Sequence, residues 1–147
     1  MKKRYKIVAL IALAIIVGLV INDYTRITTF KEVVFSQLNG EVSSIEIIRS
    51  TDTPNEDKIT VTDPSQIELI MNALSQTKLR EASRPNIKSA EKYWITLKIK
   101  NIRKFGITLY GKDYVDIYDD NPYEKDRLKS YKITNKFDPI IIRALFK

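Results

Sequence analysis

From Ile7 to Ile21 the chain reads IVALIALAIIVGLVI, an apolar run with no charged or strongly polar side chain. A helix built from it is apolar on every side, so a small globular core cannot take it in without exposing one face. A bilayer can. At 1.5 Å per residue the run spans about 23 Å of a hydrocarbon layer ~30 Å thick. Tyr5 and Tyr24 at the two interfaces, with Lys6 reaching outward, make up the difference. Lys2, Lys3, Arg4 and Lys6 precede the run. The positive-inside rule therefore predicts a cytoplasmic tail over 1–6, a transmembrane anchor over 7–24, and an extracytoplasmic remainder. A cleaved signal peptide competes with this reading, but cleavage needs small residues just past the run. Here the chain continues Leu19-Val20-Ile21-Asn22-Asp23-Tyr24. A retained, single-pass anchor in the cell membrane is expected, with the lipid bilayer as its partner through Ile7 to Ile21.

Four of the seven net positive charges lie in that tail, so the exported part is only mildly basic. This points away from nucleic acid and toward anionic headgroups or wall polymers, if toward any charged partner. The chain has no cysteine and no histidine. That removes disulfides, thiol nucleophiles, a lipidated cysteine, the Ser-His and Cys-His relays, and the usual zinc ligands. Gly40, Gly106 and Gly111 are isolated, so there is no glycine-rich phosphate loop. No cofactor, no metal and no catalytic residue is expected.

Hydrophobic periodicity predicts an α+β fold: the transmembrane helix, then an antiparallel sheet with a strand-strand-helix unit, a three-stranded meander and a C-terminal helix. A linker helix is expected over 25–40, opened by the capping box Thr29-Phe30-Lys31-Glu32. It would bury Phe30, Val33, Val34 and Leu38 and stop at Gly40. The extracytoplasmic domain would then occupy 41–147. A strand from Val42 to Ile48, a turn marked by Asp52, Pro54 and Asn55, and a strand through Ile59 and Val61 come first. Asp63-Pro64-Ser65-Gln66 opens a helix whose buried stripe is Ile67, Ile70, Met71 and Leu74.

The meander is expected as Tyr93 to Lys100, Lys104 to Tyr110 and Tyr114 to Asp119, joined by three-residue loops. Those loops would set Ile99 opposite Phe105, Leu97 opposite Ile107, Leu109 opposite Val115 and Ile107 opposite Ile117. Tyr131 and Ile133 suit a last strand, and Asp138-Pro139 opens a C-terminal helix from Ile140 to Phe146.

On the other sheet face this register aligns Trp94, Tyr110 and Tyr114 in one row, Thr96, Thr108 and Asp116 in the next, and Lys98 and Tyr118 beyond. Aromatic rings flanked by hydroxyls and a carboxylate suit a glycan or an extended peptide. The same residues are also simply good strand formers, whose cross-strand pairs stabilise a sheet by ~0.2–1 kcal/mol. The acidic residues Asp113, Asp116, Asp119, Asp120, Glu124 and Asp126 do not follow a calcium-loop spacing, and Lys125 and Arg127 interrupt them. They read as a solvated turn. Ser75-Gln76-Thr77-Lys78 matches S-x-x-K, but the serine falls at a helix end and the companion motifs are missing.

The MKKRYK start, the apolar run and KITVTDPSQIELIMNAL (Lys58 to Leu74) together resemble small single-pass exported proteins of low-GC Gram-positive bacteria that carry a domain of unknown function. The resemblance implies a location and a style of fold. It implies no reaction and transfers no functional residue. The leading expectation is a non-enzymatic, membrane-tethered domain that binds another membrane protein, a wall polymer or a peptide. One alternative is a wall-active hydrolase using carboxylates near Asp116 and Glu124. Another is an immunity- or sporulation-type accessory protein acting through its anchor.

Overall fold

The computed structural model describes residues 2–24, 26–51, 56–83, 86–87 and 91–146. The expected turn at Asp52, Pro54 and Asn55 lies outside them, as do the side chains of Lys2, Lys3, Arg4 and Tyr24. Helix α1 (Lys2–Tyr24) takes in the whole apolar run and begins ahead of it. Its stretch Tyr5–Asn22 is long and apolar enough to cross a membrane, and none of it is buried inside the protein.

The rest is α+β. Among the described residues eight strands form one antiparallel sheet: β1 (Ile27–Thr29), β2 (Ser44–Thr51), β3 (Glu56–Val61), β4 (Lys78–Glu81), β5 (Glu91–Ile99), β6 (Ile102–Tyr110), β7 (Tyr114–Asp119) and β8 (Leu128–Ile133). Their spatial order is β1-β4-β8-β7-β6-β5-β2-β3. Helices α2 (Phe30–Val33), α3 (Pro64–Ser75) and α4 (Ile140–Arg143) pack on one face, with short 3-10 turns at Phe35–Gln37 and Ala144–Phe146. Phe30, Val34, Ile67, Ile70, Leu74 and Ile142 meet Ile45, Ile47, Tyr93, Ile95, Leu97 and Ile107 in a single core.

No linker helix runs over 25–40. The β-branched stretch Ile27-Thr28-Thr29 prefers an extended backbone and pairs with Lys78–Arg80 at the sheet edge. The capping box forms as the residue pattern demands. Thr29 Oγ1 accepts the Glu32 N–H at 3.2 Å, and the Glu32 carboxylate accepts the Thr29 N–H at 3.0 Å. It opens only one helical turn, and the Phe30 N–H, free of an intrahelical acceptor at the helix start, donates to the Thr77 carbonyl at 3.0 Å. Phe30 and Val34 are fully buried, with Phe30 edge-on to Phe35 at 5.3 Å. The packed unit therefore begins at Ile27 and not at residue 41. Gly40, at φ 135°, is no helix stop; it turns the chain against Ile99 toward β2.

The remaining signals translate more directly. Asp63 Oδ1 accepts the Gln66 N–H at 2.9 Å, Pro64 takes the first turn of α3, and Ile67, Ile70 and Leu74 are buried. Met71 packs partly against the same core. The Gly111-Lys112-Asp113 loop sets Leu109 opposite Val115 and Ile107 opposite Ile117. The C-terminal helix opens at Ile140 as expected, with Pro139 in place of Asp138 as its N-cap, and tightens to 3-10 geometry after Arg143.

The first hairpin corrects the expected register. Its loop has two residues, Lys100 and Asn101, both left-handed at φ 48° and 65°. Ile99 faces Ile102, and a bulge at Leu97/Lys98 brings Leu97 opposite Phe105 and Ile95 opposite Ile107. The bulge supplies the extra residue that a three-residue loop would otherwise provide, so both strands still turn their apolar sets inward. Lysine in the left-handed region is strained, whereas Asn-Gly is the natural pair for such a turn. Lys100→Asn with Asn101→Gly is expected to stabilise the fold by about 1 kcal/mol. The check is a higher urea midpoint at unchanged slope.

Candidate functional site

The sheet face opposite the helices presents three rows of side chains. Across β2, β5, β6, β7 and β8, Ile48, Trp94, Thr108, Asp116 and Ser130 align. On one side of them run Glu46, Thr96, Gly106, Tyr118 and Leu128, and on the other Ser50, Lys92, Tyr110, Tyr114 and Lys132. Trp94 is thus not in line with Tyr110 and Tyr114. The bulge in the first hairpin moves it one row, to stand beside Thr108 and Asp116. Thr96 correspondingly faces Gly106 instead of Thr108.

This shift creates a depression. Gly106 leaves the centre of its row without a side chain, and Trp94, Thr96, Thr108, Tyr118 and Arg103 surround a shallow cavity of about 220 Å³. Asp116, Leu128, Ile95 and Ile107 also line it, while Tyr110 and Tyr114 stand outside it. Trp94 is 39% exposed, high for so large a ring in mid-sheet. Gly106 has no positive φ. A Cβ built on it would meet only Tyr118 Cβ, at an ordinary 3.7 Å. Neither backbone geometry nor packing requires glycine here, although glycine weakens a strand interior. A position kept open at a cost in stability suits close approach by a ligand.

The polar groups around the depression are fixed in place. Asp116 is buried, and both its oxygens accept hydroxyls: Tyr110 Oη at 3.0 Å and Ser130 Oγ at 2.7 Å. Arg103 donates twice to Asp120 at 3.0 Å, which holds that carboxyl below the usual carboxylate range. The same guanidinium lies 5.5 Å from the centre of the Tyr118 ring. Farther along the row, hydrogen bonds from Lys98 and then Lys58, each at 3.1 Å, lower the Glu46 carboxyl. Aromatic and apolar walls with the Thr96 and Thr108 hydroxyls and a guanidinium can seat one ring-sized polar group.

Other concavities are less suited. One, of about 840 Å³, is lined mainly by charged and small residues at the β4–β8 edge, among them Arg26, Glu81, Ser83 and Lys129. Asp119, Glu124 and Asp126 border a cavity of about 250 Å³ together with Glu32, interspersed with Arg127 and Lys129. Asp120 pairs with Arg103, Asp119 accepts the Asn121 N–H, and Glu124 sits exposed in the β7–β8 loop. Among the described residues no three acidic side chains gather as a metal site. Ser75 ends α3 and donates to the Asn72 carbonyl at 2.7 Å. On the helix-covered side, Glu91 accepts the Tyr93 hydroxyl at 2.6 Å and an Arg143 N–H at 3.0 Å, tying α4 to β5.

Gly106, Tyr118, Arg103 and Leu128 are site residues that sequence patterning did not assemble. A glycine between Phe105 and Ile107 in a strand was the available signal. Comparison with protein-family models, with curated proteins and with solved structures returned no match.

Proposed function

We propose that this chain is a membrane-anchored, extracytoplasmic binding module that seats one sugar ring of a wall glycan in the Gly106 depression. The observation that carries the reading is a mid-strand glycine demanded neither by φ nor by packing, open beneath a half-exposed tryptophan. Trp94 offers a flat apolar surface to the C–H face of a pyranose. Thr96, Thr108 and Arg103 offer hydrogen bonds to its hydroxyls. Orientation follows from the basic residues before the apolar run, which favour a cytoplasmic N-terminus.

The hydrolase alternative needs Asp116 and Glu124 as a facing pair. Glu124 does not line the depression, and both oxygens of Asp116 already accept hydroxyls. Both facts favour binding over bond cleavage. If the anchor itself were the working part, replacing residues 7–21 with an unrelated apolar helix would abolish function. The binding module predicts that function survives this exchange.

Trp94 is the single tryptophan, so its emission reports directly on the site. Titrating solubilised wall glycan fragments into the full-length protein should shift Trp94 fluorescence saturably. Gly106→Val should remove the response while raising the unfolding midpoint, because a β-branched residue replaces glycine in a strand. A Gly106→Val protein that binds like the parent would sink the proposal, as would a flat titration of the parent.

A further inference from the structure

On the reading that α1 spans the bilayer, we infer that one end of the sheet rests on the membrane surface and inserts apolar side chains among the lipid headgroups. Only two residues separate Tyr24, the last of α1, from Ile27, the first of β1. Three consecutive Cα–Cα steps reach at most about 11 Å. The domain therefore has no stalk, and the start of β1 is held within about 11 Å of the end of α1.

Ile27 is level with Lys132 and Tyr114, and the chain enters β1 from one end of the sheet, whose make-up antiparallel order fixes. That end carries the end of β4 at Glu81, the start of β8 at Leu128, the end of β7 at Asp119, and the β5–β6 turn followed by Ile102. Tyr123, in the loop between β7 and β8, belongs to the same end. With strands ~4.8 Å apart and ~3.3 Å of rise per residue, Leu128 stands about 10 Å across the sheet and about 13 Å beyond the level of Ile27 toward that end, and Ile102 about 19 Å across and about 25 Å beyond. Ile102, Tyr123 and Leu128 are 60%, 91% and 62% exposed. A soluble surface gains nothing from three such side chains gathered at one end, whereas an interface accepts them, tyrosine especially.

Charge at this end is mixed, Arg26, Lys100 and Lys104 standing with Glu46 and Glu81. Arg103 is paired with Asp120, and Lys125, Arg127 and Lys129 share the β7–β8 segment with Asp119, Glu124 and Asp126. Contact by apolar insertion predicts little dependence on anionic lipid.

The chain lacks cysteine, so single nitroxide labels can be placed cleanly. The full-length protein is reconstituted in phosphatidylcholine vesicles, with and without phosphatidylglycerol, carrying Ile102→Cys, Tyr123→Cys or Leu128→Cys. Leu13→Cys reports on the anchor. Lys112→Cys, at the far end of the sheet, and Leu69→Cys, on α3, report on water. All these positions are exposed, so labelling leaves the core intact. The expected result is a several-fold loss of collisions with a water-soluble nickel chelate at 102, 123 and 128 relative to 112 and 69, alike in both vesicles. Shielding at Leu13 with full access at 102, 123 and 128 would overturn the inference and leave the anchor standing. Shielding that appears only with phosphatidylglycerol would also overturn it, since charge would then be the cause. Full access at Leu13 would overturn the anchor and the inference together.

Discussion

Two arginines in the middle of the N-terminal helix, Leu13→Arg with Ile16→Arg, will move the protein out of carbonate-washed membranes. An arginine at a helix centre costs about 2.5–3.5 kcal/mol on insertion scales, so the pair removes roughly 6 kcal/mol of the preference for the bilayer. The loss must come without unfolding. Side chains of α1 from Tyr5 to Asn22 are exposed and none belongs to the core. The far-ultraviolet signature of the sheet should therefore persist in the soluble fraction, and immunoblotting should show an uncut chain. Recovery of the double variant in the membrane pellet would refute anchoring through this helix.

Truncating Tyr93 has the largest expected effect on the fold. Its ring is fully buried in β5, lies 6.1 Å from Phe146, and carries a hydroxyl donated to Glu91. Tyr93→Ala leaves a cavity between the sheet and the C-terminal turn and should cost about 3–5 kcal/mol. That is a large share of the ~5–15 kcal/mol that holds an ordinary domain. Tyr93→Phe keeps the ring and should cost only about 1 kcal/mol, because Glu91 still has Arg143.

The two variants also separate at alkaline pH. Burial, and after it the hydrogen bond to Glu91, push the Tyr93 phenol from 10.0 up to about 12. A raised pKa means that the folded state keeps the proton while the unfolded chain releases it. The stability contributed is whole below pH 10 and drains away as pH climbs toward 12. Burial raises Tyr131 as well, with the same sign. Tyr93→Phe should therefore show a shallower loss of stability across this window than the parent. Identical slopes would contradict the burial of this hydroxyl.

Local chemistry was legible where a few neighbouring residues settle the outcome. The Asp63-Pro64 start, the stripe of Ile67, Ile70 and Leu74, and the Gly111-Lys112-Asp113 loop each depend on side chains within one or two turns of each other. The Thr29 capping box was legible too, but not its brevity. The backbone partner of Phe30, Thr77, is nearly fifty residues away, and distant partners leave no local pattern. Strands β1 and β4 were invisible for the same reason: each is short and is defined by what it pairs with. The first hairpin misled because Lys100-Asn101 lacks the glycine that announces a left-handed turn. The bulge then restored the apolar alternation by another route. That one displacement separated Trp94 from Tyr110 and Tyr114 and put Gly106 where the depression forms. The chemical character of the candidate face could be read in advance, but its arrangement could not.

The pairing of β1 with β4, and not with its successor, also bears on how the chain comes into being. Residues 27–29 leave the ribosome well before residues 78–80, and at ~5–20 residues per second the partner arrives about 3–10 s late. Through that interval Phe30 and Val34 have nothing to cover them, and an unmatched strand edge invites other chains. Limiting β1 to three residues keeps this early adhesive stretch short.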